Sequence, residues 1–359
     1  MKPLTGRFLA LALAVGAAAC SDSSNTQAQT QFPGGLVAAS ASVDPLLLLL
    51  AAGPESVAHS GLRQVELHHK APGHVEEVIV YREAIAVDTR GQYSLVPVES
   101  LAPGGLDEEL FLALQANHEG FNFRYRDFRV RDLGAFQANY TLGLVAEDVE
   151  HMGRQCLLLE VDARSGTGTD YDLLVDELTG LVLASQVTDA ATGVLLQRTT
   201  YLSVEFEEPN GFTPHAPSNA EAVLDLGQPL APQAGFEPIL PSFLPSGYVM
   251  TSAATVVDPD ENTWFMLVCT DGVEPLFVLE RNLESGVEPI NVGRLGTKTQ
   301  VQHSANDLEQ SGMNVDAELL GYRSGRVGIL QGAFPELERI AVGTRPMVEL
   351  QLTIESTLP

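Results

Sequence analysis

The sequence is short of cysteine, of tryptophan and of positive charge. Three cysteines and one tryptophan stand among 359 residues, and 20 Lys and Arg face 47 Asp and Glu, for a net charge of −27. So few cysteines, with no Cys-x-x-Cys, exclude a disulfide-stapled miniprotein and give no zinc spacing. The acidity excludes a nucleic-acid role, because phosphate backbones bind basic surfaces. After the amino-terminal segment no apolar run is long enough to span a bilayer. "PLLLLLAAG", residues 45–53, is about half the required length. Apolar residues still make up 45 % of the chain, enough for a large core and for two domains.

The chain opens "MKPLTGRFLALALAVGAAAC". A basic start (Lys2, Arg7), a short apolar run from Phe8 to Val15 and small residues before Cys20 form an export signal. The cysteine at its end resembles the lipidation site of a bacterial lipoprotein, with residues 1–19 removed and Cys20 acylated. An ordinary signal cleaved after Ala19 is the alternative. Residues 20–43 would form a polar tether. Either route exports the chain, and loss of Lys2 and Arg7 deepens its negative charge. Cys156 and Cys269 then remain, expected as buried apolar side chains more than as a bridge.

Asp44 and Pro45 start a short helix that Gly53-Pro54 ends. Period-two stretches follow to about residue 98, then an amphipathic helix over "LDEELFLALQANHEG". A weaker helix or turn is expected over "LGAFQANY". From there to Phe206 a run of strands joined by Gly and Asp turns reads as an antiparallel meander. Prolines then concentrate (Pro209, Pro214, Pro217, Pro229, Pro232, Pro238), which places a linker over 209–240. The remainder, 241–359, reads as a smaller α+β domain, with strands at "WFMLVCTDG", "PLFVLERN" and "MVELQLTIE" and a short helix at "PELERIAVG".

"VDELTGLVLASQVTDAATGVLLQ" holds Asp-x-x-Thr-Gly twice, at Asp176 and at Asp189. A calcium loop needs six or more oxygens, which these cannot supply. An Asx turn closed by a glycine with positive φ explains both. His59, His68, His69 and His74 lack metal spacing. No Gly-x-Ser-x-Gly, His-Glu-x-x-His or phosphate loop occurs, so neither an enzyme, a metal nor a cofactor is expected. "FRYRDFRVRD" sets Arg124, Arg126, Arg129 and Arg131 close together in an acidic chain. Their guanidinium forks make them a candidate docking patch for an acidic partner or a phosphate. The alternative is the solvated face of a strand balanced by Asp127 and Asp132.

"NYTLGLV", "GRQCLLLEV" and "YDLLVDELTGLVLASQVTDAATGVLLQRTTYLSVEF" resemble the MucB/RseB family of periplasmic regulators of sigma-E signalling. The matching positions are Gly153, Arg154, Cys156, Tyr171, Asp176, Thr179, Gly180 and Leu181. "LPSGYVM" and "LVCTDGVEPLFVLER" resemble the family's smaller domain. "ARSGTGTD" stands where the family has a Pro-x-Asp stretch.

The resemblance implies an α+β fold. Residues 44–208 would form an antiparallel half-barrel wrapped over helices, as in the carriers LolA and LolB, and 241–359 a small second domain. It implies a binding protein without bond chemistry, which protects a membrane anti-sigma factor and senses a lipid or lipoprotein ligand. The alternative it leaves open is a LolA/LolB-like carrier of lipid or lipoprotein acyl chains. The expected location is the periplasm, with a lipid anchor on the inner or outer membrane.

Overall fold

In the computed structural model the described residues are 44–52, 57–69, 77–90, 92–101, 127–207, 209, 211, 222–257, 262–283, 300–303, 318–324, 327–334, 337–344 and 347–355. Cys20, the tether, the expected helix over 106–120, Arg124 and Arg126 lie outside them.

Two eight-stranded antiparallel sheets account for most of this structure. The first contains β1 (His59–His69), β2 (Glu77–Val87), β3 (Tyr93–Ser100), β4 (Tyr140–His151), β5 (Arg154–Ala163), β6 (Thr169–Asp176), β7 (Val182–Asp189) and β8 (Leu195–Glu205). Its order is β3-β2-β1-β8-β7-β6-β5-β4, so the meander from β4 to β8 is joined through β8 and β1 to a second meander. The sheet does not close. Its free edges are blunted: β3 carries Pro97, and β4 is broken by two bulges and by positive φ at Asp148.

Alternation decides the faces. Leu157, Leu159 and Val161 of β5 and Tyr171, Leu173 and Val175 of β6 are buried in one cluster, whereas Glu160, Asp162 and Asp172 between them are exposed. Two short helices cover that inner face. Helix α1 (Pro45–Ala52) contributes Leu47 and Leu50, and α2 (Leu133–Asn139) contributes Phe136. Asp132 caps α2 by accepting the Ala135 amide at 2.7 Å. The result is the expected α+β architecture, an open half-barrel-like antiparallel sheet over helices.

The second sheet runs β13-β14-β15-β16-β12-β11-β10-β9. It comprises β9 (Ala222–Leu224), β10 (Val249–Val257), β11 (Thr263–Thr270), β12 (Pro275–Asn282), β13 (Gln300–His303), β14 (Glu318–Ser324), β15 (Val327–Phe334) and β16 (Leu337–Gly343). Strand β9 and the one-turn helix α3 (Ala231–Ala234) lie inside the proline-rich segment. β9 pairs with β10, and Ala234 joins the second core.

Two local expectations are corrected. "PELERIAVG" supplies a central strand instead of a helix. β16 lies between β12 and β15, and its charges are buried in pairs: Glu338 with Arg281 at 2.6 Å, Arg339 with Glu280 at 2.8 Å. Neighbouring opposite charges read as a helix surface, but here each meets its partner on the adjacent strand. "MVELQLTIE" is helix α4 (Met347–Glu355). Its apolar residues fit a period of two as well as 3.6, and packing decides: Leu350 and Ile354, one turn apart, are both buried in the second core.

Candidate functional site

A turn of the second sheet is buried against the first. Strands β11 and β12 are joined by Asp271-Gly272-Val273-Glu274, and this hairpin tip enters the inner side of the first sheet. Val273 is buried in the first sheet's cluster, with Phe128, Tyr140 and Tyr171. The aromatic wall around it is ordered by ring contacts: Phe128 and Tyr171 lie 5.0 Å apart and T-shaped, while Phe136 stacks on Tyr140 at 5.5 Å.

The turn organises itself first. Asp271 Oδ1 accepts the amides of Val273 at 3.0 Å and of Glu274 at 2.8 Å, an Asx turn. Gly272 has φ +108°, and a Cβ there would stand 2.3 Å from the Phe136 nitrogen. Only glycine allows the hairpin to approach the backbone of α2 so closely.

The first sheet and its flanking segment then grip the main chain of the turn. The Arg131 amide donates to Gly272 O at 2.8 Å, and Arg131 Nε donates to Val273 O at 2.7 Å. Asn139 Nδ2 donates to Asp271 O at 2.9 Å and to Gly247 O at 2.8 Å. Side chains meet as well. Tyr140 donates its hydroxyl to Asp271 Oδ2 at 2.8 Å, and Tyr171 donates to Glu274 Oε1 in a short bond. Thr169 Oγ1 lies 2.8 Å from the Tyr171 hydroxyl, and Thr344 Oγ1 donates to Glu274 Oε2 at 2.8 Å.

Asp271 is 6 % exposed and Glu274 3 %, so two carboxyl groups are taken out of water within one turn. Burial first, and the charge of Glu274 second, push the Asp271 carboxyl up to about 6, against the bonds from Val273, Glu274 and Tyr140. Burial also holds the Tyr140 hydroxyl far above the usual phenol range.

A second polar group lies within the first sheet. Arg63 pairs with Glu83 at 2.5 Å and with Asp127 at 2.7 Å, all on the inner side. His59 Nδ1 donates to Val57 O at 2.7 Å, leaving Nε2 to accept from the Tyr201 hydroxyl at 2.9 Å. Burial pushes the His59 imidazole down to about 4, so it is neutral at ordinary pH. Beside these groups is a cavity of about 20 Å³, lined by Arg63, Asp127, Phe128, Ser185, Thr199 and Tyr201, among others. That is room for about one water.

The remaining sequence candidates are placed as follows. Arg129 is buried, and Arg131 serves the joint between the sheets. Both Asp-x-x-Thr-Gly loops are hairpin turns. Asp176 Oδ1 accepts Thr179 N at 2.8 Å and Thr179 Oγ1 at 2.7 Å, and Asp189 does the same with Thr192 at the same distances. They differ in surroundings. Asp176 is buried and accepts Arg154 Nε at 2.5 Å, and a Cβ at Gly180 would stand 2.6 Å from Leu49 O of α1. The Asp189 turn is open to solvent. His68 pairs with Glu66 at 2.6 Å. Among the described residues no group of three His, Cys, Asp or Glu side chains is placed to hold a metal. Cys156 and Cys269 are free and buried in different sheets.

The joint itself is not a motif of the sequence. Asn139, Tyr140, Tyr171, Gly247, Asp271, Gly272 and Glu274 nonetheless all fall inside the stretches that carry the family resemblance. That is the signal by which they could have been found.

No family model matches this chain, and no curated protein matches it. Among solved structures it is similar to MucB. The MucA/MucB complex of Pseudomonas aeruginosa is 15 % identical with a TM-score of 0.44, covering 86 % of this chain and 95 % of that one. A structure of MucB is 18 % identical with a TM-score of 0.44, covering 87 % and 95 %. A LolA superfamily protein from Nitrosomonas europaea is 12 % identical with a TM-score of 0.17, covering 46 % and 93 %.

Proposed function

We propose that this chain is an extracytoplasmic regulator of sigma-factor signalling, anchored through a lipidated Cys20. It binds the extracytoplasmic segment of a membrane anti-sigma factor and shields it from proteolysis, and a lipid or lipoprotein ligand releases it. The proposal includes a half-barrel domain at 44–208 and a smaller domain at 241–359. Its mechanism is differential binding between two arrangements of the chain, without bond chemistry.

One observation carries this reading. Six residues inside the stretches resembling MucB/RseB, Asn139, Tyr140, Tyr171, Gly247, Asp271 and Glu274, converge on a joint between the two sheets, while Arg154, Asp176 and Thr179 build a hairpin turn away from it. A buried joint of this kind suits a protein whose work is to change how two domains meet. Of the candidate arginines for an acidic partner or a phosphate, 124, 126, 129 and 131, Arg129 is buried and Arg131 is engaged by the hairpin carbonyl, so the docking proposal rests on Arg124 and Arg126.

The carrier reading draws on the apolar inner face of the first sheet. It is the weaker of the two, because Val273 of the second sheet already sits in that face and the cavity beside it holds about one water.

The test is affinity capture of the mature protein from detergent-solubilised envelope, with bound protein and bound lipid both identified. Recovery of a single-span anti-sigma factor, whose cleavage accelerates when this protein is removed, supports the regulator. Recovery of acyl lipid or lipoprotein alone replaces it with the carrier.

A further inference from the structure

We propose that the Thr270–Pro275 hairpin is a proton-operated latch: protonation within the Asp271–Glu274 pair holds the two sheets together, and ionisation of both carboxyl groups loosens them. The geometry comes first. The two carboxyl groups are three residues apart on one tight turn, and both are buried where the hairpin is seated in the first sheet. Asp271 receives its described bonds from the Tyr140 hydroxyl and two backbone amides, and Glu274 from the hydroxyls of Tyr171, Thr169 and Thr344. Carboxyl groups crowded in a dry site resist ionising together.

Among the described residues Tyr140 on β4 and Tyr171 on β6 bond to the pair, Tyr248 ahead of β10 stands beside Tyr140, and Arg131 on the segment before α2 holds the Val273 carbonyl between the two carboxyl groups. Tyrosine and arginine keep their charge state through the mildly acidic and neutral range, so the carboxyl groups alone change there. The Asp271 carboxyl is raised to about 6 when docked, and a solvated aspartate returns to about 3.9. Between those values the docked arrangement holds the additional proton. Docking is therefore strongest below the solvated value and is lost progressively as pH rises through about 6. The latch closes in acid and loosens toward neutrality.

This goes beyond the regulator reading, since it concerns only how the sheets of one chain meet. The experiment is a distance measurement between nitroxide labels on Glu160→Cys and Gln228→Cys in the full chain. Cys20 is replaced by serine in the labelled chain; both label positions are exposed, whereas Cys156 and Cys269 are buried and escape labelling. At about pH 5 one narrow distance is expected; at about pH 8 the population at longer distances rises at least about threefold, with unchanged far-ultraviolet circular dichroism. Asp271→Asn and Glu274→Gln, each tested in the labelled chain, should both blunt that rise. An unchanged distance distribution in the parent overturns the proposal. So does a rise that persists in full in both variants.

Discussion

The Tyr140 hydroxyl reaches Asp271 Oδ2 at 2.8 Å across 131 residues of chain. Tyr140 begins β4, immediately after α2, and Asp271 begins the turn that closes β11 onto β12. One bond therefore links the start of the first sheet's meander to the tip of the second sheet's hairpin. It is buried at both ends.

Tyr140→Phe removes that donor and keeps the ring stacked on Phe136. Asp271 then loses one of the bonds that compensate its burial, at a cost of about 1–3 kcal/mol. Urea midpoints check this, since a weakened joint lowers the midpoint relative to the parent. An unchanged midpoint would count against the bond's contribution.

Gly272→Ala places a methyl group against the backbone of Phe136 and forces a side chain into φ +108°. Neither side can yield by rotating a side chain. We expect a loss of roughly 3 kcal/mol or more, expressed as separation of the sheets with each still folded. Small-angle scattering should give a larger radius of gyration with little change in strand content.

The two Asp-x-x-Thr-Gly turns make an internal comparison. Asp176→Ala breaks a buried bond to Arg154 as well as the Asx turn, at a cost of about 2–4 kcal/mol. Asp189→Ala loses only an exposed turn, less than about 1 kcal/mol. Urea midpoints of the two variants test the difference. Burial alone would raise the Asp176 carboxyl; the bonds from Arg154 and Thr179 outweigh it and hold it below the usual range. Its contribution is thus present at neutral pH and lost as pH falls through that depressed value.

His59 titrates in the opposite sense to Asp271. It is neutral when folded, with its pKa down at about 4 against about 6.5 unfolded. The stability it confers is complete above about 6.5 and falls by roughly 3 kcal/mol as pH drops toward 4. A His59→Gln variant should unfold with a flatter pH dependence over that range, as read by denaturant midpoints.

Much of the fold is legible in the residues. Short apolar runs in "RQCLLLEVD" and "YDLLVDE", bounded by turns fixed by Asp176, Gly180, Asp189 and Gly193, give the meander directly. The errors come where period is ambiguous or charge is buried. Leu350 and Ile354 suit a helix or a strand, and only their place under the second sheet decides. Glu338 and Arg339 look like solvent-facing charges until Arg281 and Glu280 arrive from another strand. The joint leaves no local signature. Asp271-Gly272 reads as an ordinary hairpin turn, and nothing local to it says that the turn is buried in a sheet more than a hundred residues earlier.

Much of the recognition in that joint comes from one side. Arg131, Asn139, Tyr140, Thr169 and Tyr171 supply donors, and four of the bonds end on main-chain oxygens of Gly247, Asp271, Gly272 and Val273. The first sheet acts as a mould for a backbone path, and the second sheet contributes a casting. A mould of this kind reads shape more than spelling. Apolar replacements of Val273 should seat almost as well, whereas inserting one residue into the four-residue turn, with every side chain kept, should leave nothing for the mould to hold.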